Sequence, residues 1–280
     1  MILLVQRYLI AVDLDGTLLT DDKRISTYTK LTLQKLIELG HYVVIATGRS
    51  NRMSILYYDE LGLKTPLINS NGAFIHHPTN RNWGTYHHPL DLKTAKDIVE
   101  ISYSLQAKNL LAAIEDNVIV DRFDKHIVNF YEAGSDTGTL MIGPVKDKLK
   151  EEPTLMLIYP DENNLEKLTE YLDEVHAHAI DHRNWGAPFH IIEVMNKSMN
   201  KAVAVKKVAD YYQVPRERII AFGDEKNDLH MIDYAGIGVA MENAVDELKS
   251  IADHVTKSNE DDGVAVFLAD YFNLKQKIQV

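Results

Sequence analysis

Short apolar runs alternate with amphipathic segments in the first part of the chain. Three largely aliphatic runs show little polar alternation: residues 9–12, 42–46 and 67–68. Such runs are typical of strands buried on both faces of a parallel sheet. Between them, residues 27–39 and 52–61 carry leucines and isoleucines at helical spacing, and a glycine follows each segment, as at the carboxyl end of many helices. This order predicts βαβ units around a parallel sheet.

The pattern changes in the middle of the chain, where apolar and polar residues alternate. A hairpin is predicted around residues 115–117. Further strands are predicted at 83–90, 139–142, 154–159, 178–183 and 189–195, and helices at 91–105, 124–133 and 161–176. We interpret residues 87–189 as an α+β domain with a mostly antiparallel sheet, inserted into a first domain formed by residues 1–86 and 190–280.

The pattern of buried strands and amphipathic helices returns after residue 200. Strands are predicted at 219–222, 237–241 and 254–256, and helices at 201–212, 229–234, 244–251 and 263–271. The predicted fold class is therefore α/β, with a Rossmann-like parallel-sheet core and an inserted α+β domain.

Small and charged residues follow the predicted strands where those strands end. The clusters are residues 13–17, 47–50, 69–72 and 223–228. Right-handed crossovers bring the carboxyl ends of parallel strands to one edge of the sheet, where such sheets bind ligands. Asp13 and Asp15 alone would fit an Asx turn as well as a functional pair, although residues i and i+2 of a strand point to the same side. The expected meeting of the clusters favours a functional pair.

The residue types in these clusters indicate phosphate chemistry. The carboxylates expected at this edge are Asp13, Asp15, Asp224 and Asp228. Carboxylates gathered without Cys or His are costly without a cation and suit Mg²⁺ rather than Zn²⁺. The groups suited to an anion are the Thr47 hydroxyl, the Gly48 amide, Lys201 and Asn227. A metal, a lysine and backbone donors around a nucleophilic carboxylate are what phosphoryl transfer needs.

The charge and the amino-acid composition argue against some classes of protein. The formal net charge of -11 argues against a general nucleic-acid binder, whose surface would be basic. The apolar start, residues 1–5, is too short to span a membrane and lacks the features of a signal peptide. The absence of cysteine fits a reducing compartment. We expect a cytoplasmic protein without a nucleic-acid or membrane partner.

Four segments resemble, in order, the motifs of the haloacid dehalogenase superfamily. They are Asp13-Leu14-Asp15-Gly16-Thr17, Ala46-Thr47-Gly48-Arg49, Lys201, and Gly223-Asp224-Glu225-Lys226-Asn227-Asp228. The inserted domain looks like the large cap of the Cof-type branch, subfamily IIB. The resemblance therefore implies a Mg²⁺-dependent phosphatase that acts on a small phosphorylated metabolite, such as a sugar phosphate.

The resemblance also implies a role for each motif residue. Asp13 would be the nucleophile that forms an aspartyl-phosphate, and Asp15 would protonate the leaving alcohol and then activate water. For that role we expect Asp15 to keep a raised pKa. Mg²⁺ would be held by Asp13, the Asp15 main-chain carbonyl and Asp224, with Asp228 orienting metal-bound water. The phosphate would be held by the Leu14 main chain, Thr47, Gly48, Lys201 and Asn227.

Some assignments stay open at this point. Lys197 competes with Lys201 as the phosphate lysine, although Lys201 begins a helix, whose amides and dipole favour anions. Arg49 contacts the cap or the substrate, or is a surface charge at a strand end. Arg183 and Trp185 are candidates for substrate specificity. A phosphomutase and a ligand-sensing protein with little turnover are the functional alternatives, and we expect a monomer or a weak homo-oligomer.

Overall fold

The computed structural model describes residues 6–125, 137–186 and 190–274. The chain divides into two compact units. The first unit contains residues 1–49, 57–85 and 200–280, and the second contains residues 50–56 and 86–199.

The helices and strands of the described residues are as follows. The strands are β1 (Leu9–Val12), β2 (Tyr42–Ile45), β3 (Leu67–Asn69), β4 (Phe74–His76), β5 (Thr85–His87), β6 (Asn109–Ile114), β7 (Asn117–Val120), β8 (Leu140–Ile142), β9 (Leu155–Tyr159), β10 (Ile180–Asn184), β11 (Ile192–Asn196), β12 (Ile219–Gly223), β13 (Ile237–Ala240) and β14 (His254–Val255). The α-helices are α1 (Thr27–Glu38), α2 (Asn51–Leu61), α3 (Leu92–Ser104), α4 (Val145–Lys148), α5 (Leu165–Val175), α6 (Lys201–Tyr212), α7 (Leu229–Tyr234), α8 (Asp246–Ile251) and α9 (Gly263–Tyr271).

The first unit contains a parallel sheet in the order β14-β13-β12-β1-β2. All four residues of β1 are buried, which explains why its sequence is aliphatic without alternation. The predicted α/β fold with a parallel core is confirmed. Because β1 lies between β2 and β12, the residues that follow these three strands emerge at the same edge of the sheet.

A smaller three-stranded sheet has the order β3-β4-β5, and its strands β3 and β4 belong to the first unit. Its strand β3 was predicted and makes one parallel bridge to the main sheet, from Ile68 to Ala46. Strand β4 was not predicted, and it runs antiparallel to β3. The reversal is made by Ser70, Asn71 and Gly72, whose φ angles are 47°, 52° and 99°.

The second unit contains a six-stranded sheet in the order β10-β11-β9-β6-β7-β8. Its neighbours are antiparallel except β7 and β8, as the prediction of a mostly antiparallel sheet requires. The predicted boundary at residue 190 differs from the structure, because β11 pairs with both β9 and β10 and the unit continues to residue 199.

The predicted helix at 124–133 lies mostly outside the described residues. Within those residues, no helix combines the length and the apolar character needed to cross a membrane.

Candidate active site

Lys201 lies at the centre of a buried cluster of charges in the first unit. Its Nζ donates hydrogen bonds to Asp13 Oδ1 and to Asp228 Oδ1, each at 2.7 Å. Burial alone would lower the pKa of Lys201, but the charges of Asp13 and Asp228 outweigh it and raise that pKa. Lys201 is therefore an ammonium ion, and it is positioned by the start of α6, where Asn200 accepts the N–H of Val203.

Asp13 and Asp224 follow adjacent parallel strands and meet at the edge of the sheet. Asp13 follows β1 and Asp224 follows β12, and these strands pair in register. One carboxylate oxygen from each of Asp13, Asp224 and Asp228 lies within 4.8 Å of the others. The structure thus brings together three of the four predicted carboxylates in an arrangement that could hold a cation.

Burial makes the carboxylates of Asp13 and Asp224 hard to ionise without a cation. Burial, together with the charges of Asp13 and Asp228, raises the pKa of Asp224 to about 8. Burial also raises the pKa of Asp13, although Lys201 opposes the shift. One lysine therefore does not compensate the cluster, and a bound cation would favour the ionised forms.

Asp228 holds the surrounding loop in place. Its Oδ1 accepts from Lys201, and its Oδ2 accepts the backbone N–H groups of Asp224 and Glu225 at 3.1 and 3.2 Å. Both oxygens therefore bind protein donors. These contacts give Asp228 a structural task, and its predicted role toward metal-bound water stays a prediction.

Gly16 provides the space that Asp224 occupies. Gly16 has φ +72°, and a Cβ atom there would lie 2.2 Å from Asp224 Oδ2. The same loop supplies Thr17, whose Oγ1 donates to Asp224 Oδ1 at 2.8 Å. The glycine is thus required both by its backbone conformation and by the close approach of the carboxylate.

Among the described residues, the carboxylate cluster contains Asp13, Asp224 and Asp228 but not Asp15. Strand β1 ends at Val12, and the carbonyl of Leu14 accepts N–H groups from Thr17, Leu18 and Leu19. The chain therefore leaves the extended conformation before Asp15, and the two-residue alternation no longer applies. The predicted role of the Asp15 main-chain carbonyl stays a prediction.

Two cations hold the Asp15 carboxylate instead. Arg49 donates from Nε to Oδ2 and from Nη2 to Oδ1, each at 2.6 Å, and Lys23 Nζ donates to Oδ1 at 2.8 Å. Burial would raise the pKa of Asp15, but Arg49 and Lys23 outweigh it and lower that pKa to about 2. The expectation of a raised pKa is therefore wrong for this arrangement. Arg49 is also not a surface charge, since its side chain is 14% exposed.

The predicted anion-binding groups lie close together at the same edge. Thr47 is buried, its Oγ1 accepts the N–H of Arg49 at 3.1 Å, and its carbonyl accepts the N–H of Asn71 at 3.0 Å. Asn227 Nδ2 donates to Asn71 Oδ1 at 2.9 Å. A Cβ on Gly48 would lie 3.3 Å from the same oxygen. The phosphate-binding roles of Leu14, Thr47, Gly48, Lys201 and Asn227 stay predictions.

Three other candidates make their contacts within the second unit. Lys197 Nζ donates to the carbonyl of Ala177 at 2.6 Å, so Lys201 and not Lys197 joins the charge cluster. Arg183 lies opposite Glu193 in the register of β10 and β11. Trp185 is 50% exposed, and its Nε1 donates to Glu193 Oε2 at 3.3 Å.

Two residues of this site were not predicted from the sequence. Asn71 links the Thr47 loop to Asn227, and its place after a predicted strand was the available signal. Lys23 reaches Asp15 from a loop eight residues further along the chain. Nothing in the pattern of the loop marks that lysine, because its contact depends on how the loop folds back.

Comparisons with known proteins identify the family of this chain. The haloacid dehalogenase-like hydrolase family model matches residues 10–268. A Bacillus subtilis protein named 5-amino-6-(5-phospho-D-ribitylamino)uracil phosphatase YitU is 49% identical over 267 residues, covering 95% of this chain and 98% of that protein. YwtE of the same organism, which has the same enzyme name, is 30% identical over 280 residues, covering 92% and 96%.

A solved structure agrees with the family match. A haloacid dehalogenase-like hydrolase from Bacteroides thetaiotaomicron has a TM-score of 0.82 at 25% identity, covering 95% of this chain and 100% of that one. The family match spans the parallel sheet and the charge cluster around Lys201. The chain belongs to the haloacid dehalogenase-like hydrolase family and is a hydrolase of phosphate monoesters.

Proposed function

We propose that this protein is a Mg²⁺-dependent phosphatase that hydrolyses a small phosphorylated metabolite through an aspartyl-phosphate on Asp13. The observation that carries the proposal is the buried contact between Asp13 and Lys201 beside Asp224. A carboxylate next to a fixed ammonium group and further acidic oxygens has the surroundings that a nucleophile for phosphoryl transfer needs.

The protein residues divide the reaction into two steps. In the first, an Asp13 oxygen bonds to phosphorus, the bond to the leaving oxygen breaks, and Asp15 gives that oxygen a proton. In the second, Asp15 takes a proton from water, the water oxygen bonds to phosphorus, and Asp13 is released with inorganic phosphate. The Leu14 and Gly48 amides, Thr47, Lys201 and Asn227 would hold the phosphate and offset the charge that develops on its oxygens.

The acidic cluster fits Mg²⁺. Asp13 and Asp224 offer carboxylate oxygens, which Mg²⁺ prefers, and their raised pKa values indicate an excess of buried negative charge. Bound there, Mg²⁺ would neutralise part of the charge that otherwise repels a phosphate dianion. Asp228 would support these residues without itself binding the metal directly, because both its oxygens already accept hydrogen bonds from the protein.

We propose 5-amino-6-(5-phospho-D-ribitylamino)uracil as the first substrate to test. The support is the similarity to YitU over nearly the whole length of both chains. The exposed indole of Trp185 is able to stack on a pyrimidine ring, and a guanidinium such as that of Arg183 can donate to ring carbonyls. Both residues stay proposals for specificity.

The predictions of cellular context also remain proposals. A cytoplasmic location is supported by the absence of cysteine. The expected monomer or weak homo-oligomer can be checked by size-exclusion chromatography with light scattering.

The experiment is a phosphate-release assay with this substrate and a panel of sugar phosphates. D13N should release no phosphate and should keep the fold, because asparagine has the same shape as aspartate. D59N, which changes an exposed aspartate on α2, is the matched control and should keep full activity. Substantial activity of D13N would contradict the nucleophile assignment.

The same assay separates the alternatives. A phosphomutase would convert its substrate to an isomer and release little phosphate. A ligand-sensing protein would give neither product. Rapid acid quenching with ³²P-labelled substrate should trap labelled wild-type protein and leave D13N unlabelled.

A further inference from the structure

The carboxylate of Asp15 is held in one orientation by three hydrogen bonds. The Arg49 guanidinium contacts both oxygens, and Lys23 contacts Oδ1. A planar guanidinium that binds both carboxylate oxygens fixes the plane of the carboxylate as well as its distance. A carboxylate offers about four lone-pair positions, so these contacts leave one position, and it lies on Oδ2.

Arg49 is itself held by its neighbours in the first unit. Its guanidinium carbon lies 5.3 Å from the centroid of the Tyr57 ring, and its Nη1 donates to the Tyr57 hydroxyl at 3.4 Å. The Tyr57 hydroxyl donates in turn to the carbonyl of Lys23 at 3.1 Å. The backbone N–H of Arg49 also binds Thr47 Oγ1. These contacts connect the orientation of Asp15 to the loop that we expect to hold the phosphate.

We propose that Arg49 and Lys23 are positioning residues that present Asp15 Oδ2 to the leaving oxygen of the substrate. This inference rests on the role of Asp15 in the proposed function. Arg49 and Lys23 favour the ionised form of Asp15, so its proton is taken up from solvent, to which the side chain is 43% exposed, as the negatively charged phosphate binds beside it. As the bond between phosphorus and the leaving oxygen breaks, that proton passes from Oδ2 to the leaving oxygen, and the bond between Asp13 and phosphorus forms.

The two cations contribute unequally. Lys23 is about half exposed, and a pair of that kind contributes little by itself. Arg49 is mostly buried and makes two of the three bonds. We therefore expect the loss of Arg49 to misplace the proton donor more than the loss of Lys23.

The test compares two esters that differ in how much they need a proton. The leaving group of 4-nitrophenyl phosphate departs as a stable anion, whereas that of D-ribose 5-phosphate needs protonation. The measured quantity is the ratio of kcat/KM for the ribose ester to kcat/KM for the aryl ester. It reports the first step alone, and any inactive fraction of a preparation cancels from it.

Asp15→Asn is the reference variant. It should lower this ratio by ~10²–10⁴-fold, the usual contribution of general acid catalysis. Arg49→Met should lower the ratio by roughly tenfold or more, since misplacing a catalytic group by ~1 Å can cost ~10²-fold. Arg49→Lys should recover part of the loss, because lysine reaches one oxygen but cannot bridge both. Lys23→Met should lower the ratio by about two- to threefold, the size of a weak exposed pair.

Arg24→Met is the matched control. Arg24 lies next to Lys23 but pairs with Asp22, so the ratio should not change. If Arg49→Met reduces kcat/KM equally for both esters while Asp15→Asn lowers the ratio, Arg49 holds the phosphate or the fold and the positioning proposal is wrong. An unchanged ratio in Asp15→Asn would instead overturn the acid role itself, and the positioning proposal with it.

Discussion

Gly16 and Asp224 approach each other so closely that a Cβ atom on Gly16 would lie 2.2 Å from Asp224 Oδ2. They are far apart in sequence, and they meet because β1 and β12 are adjacent and parallel. The close contact places the backbone of the Asp13 loop directly against a carboxylate that we expect to hold the metal.

Gly16→Ala should therefore reduce kcat/KM severely. The new methyl group must push either the Asp13 loop or Asp224 aside, and a shift of ~1 Å at a reacting centre can cost ~10²-fold. Gly62→Ala is the matched control, because Gly62 has a similar φ of +67° but nothing within 4 Å of its Cβ position. The control should lose about 1–2 kcal/mol of stability from backbone strain and keep its activity. Equal losses of activity in both variants would contradict this account.

Lys201→Met should destabilise the fold. The substitution leaves the buried carboxylates of Asp13 and Asp228 without their ammonium partner, and breaking a buried ion pair costs about 3–5 kcal/mol. Urea denaturation measures the change in the free energy of unfolding. Lys206→Met removes an exposed pair with Asp210 on the same helix and should change that energy by at most ~0.5 kcal/mol. If Lys201→Met had the same free energy of unfolding as the wild type, Lys201 would not form a stabilising buried ion pair with Asp13 and Asp228.

Asn71→Asp should weaken the binding of phosphate. The new carboxylate can still accept from Asn227, but it adds a negative charge next to Gly48. We expect the inhibition constant for inorganic phosphate to rise about tenfold, which corresponds to ~1.4 kcal/mol. Asn80→Asp, which adds the same charge at a position where the side chain caps a helical turn, is the control. An unchanged inhibition constant would show that Asn71 does not lie next to the bound phosphate.

Removal of metal should make stability depend on pH through Asp224. The pKa of Asp224 in the folded protein, about 8, lies above the ordinary value of 3.8. Its contribution to the free energy of unfolding is therefore fully present below pH 4 and is lost as the pH rises through 8. Asp13 shifts in the same direction. In EDTA, the difference in unfolding free energy between wild type and Asp224→Asn should therefore decrease from pH 5 to pH 8.

Addition of Mg²⁺ gives the complementary measurement. A cation that binds the folded state stabilises it, and it needs the ionised carboxylates. Mg²⁺ should therefore raise the wild-type melting temperature more at pH 8 than at pH 5, and it should have little effect on Asp224→Asn. Equal stabilisation of the two proteins would place the metal elsewhere.

The amino-acid sequence alone predicted the order of the core elements and the residues at the strand ends. Aliphatic runs without alternation are typical of strands buried on both faces, and the parallel strands of one sheet end at the same edge. Asp13, Thr47 and Asp224 could be assigned to one site on that basis. The contacts of Lys201 in the structure place it, rather than Lys197, in the charge cluster.

Only the tertiary structure decided the rest, because those features depend on contacts between distant segments. After the turn that follows Val12, the Asp15 carboxylate binds Arg49 and Lys23. These two cations lower the pKa of Asp15. Strand β11 lies beyond the predicted boundary at residue 190, and its pairing with β9 and β10 assigns it to the second unit. The local pattern of a sequence reports burial and turns, whereas the partner of a charged group or a strand depends on which segments the whole fold brings together.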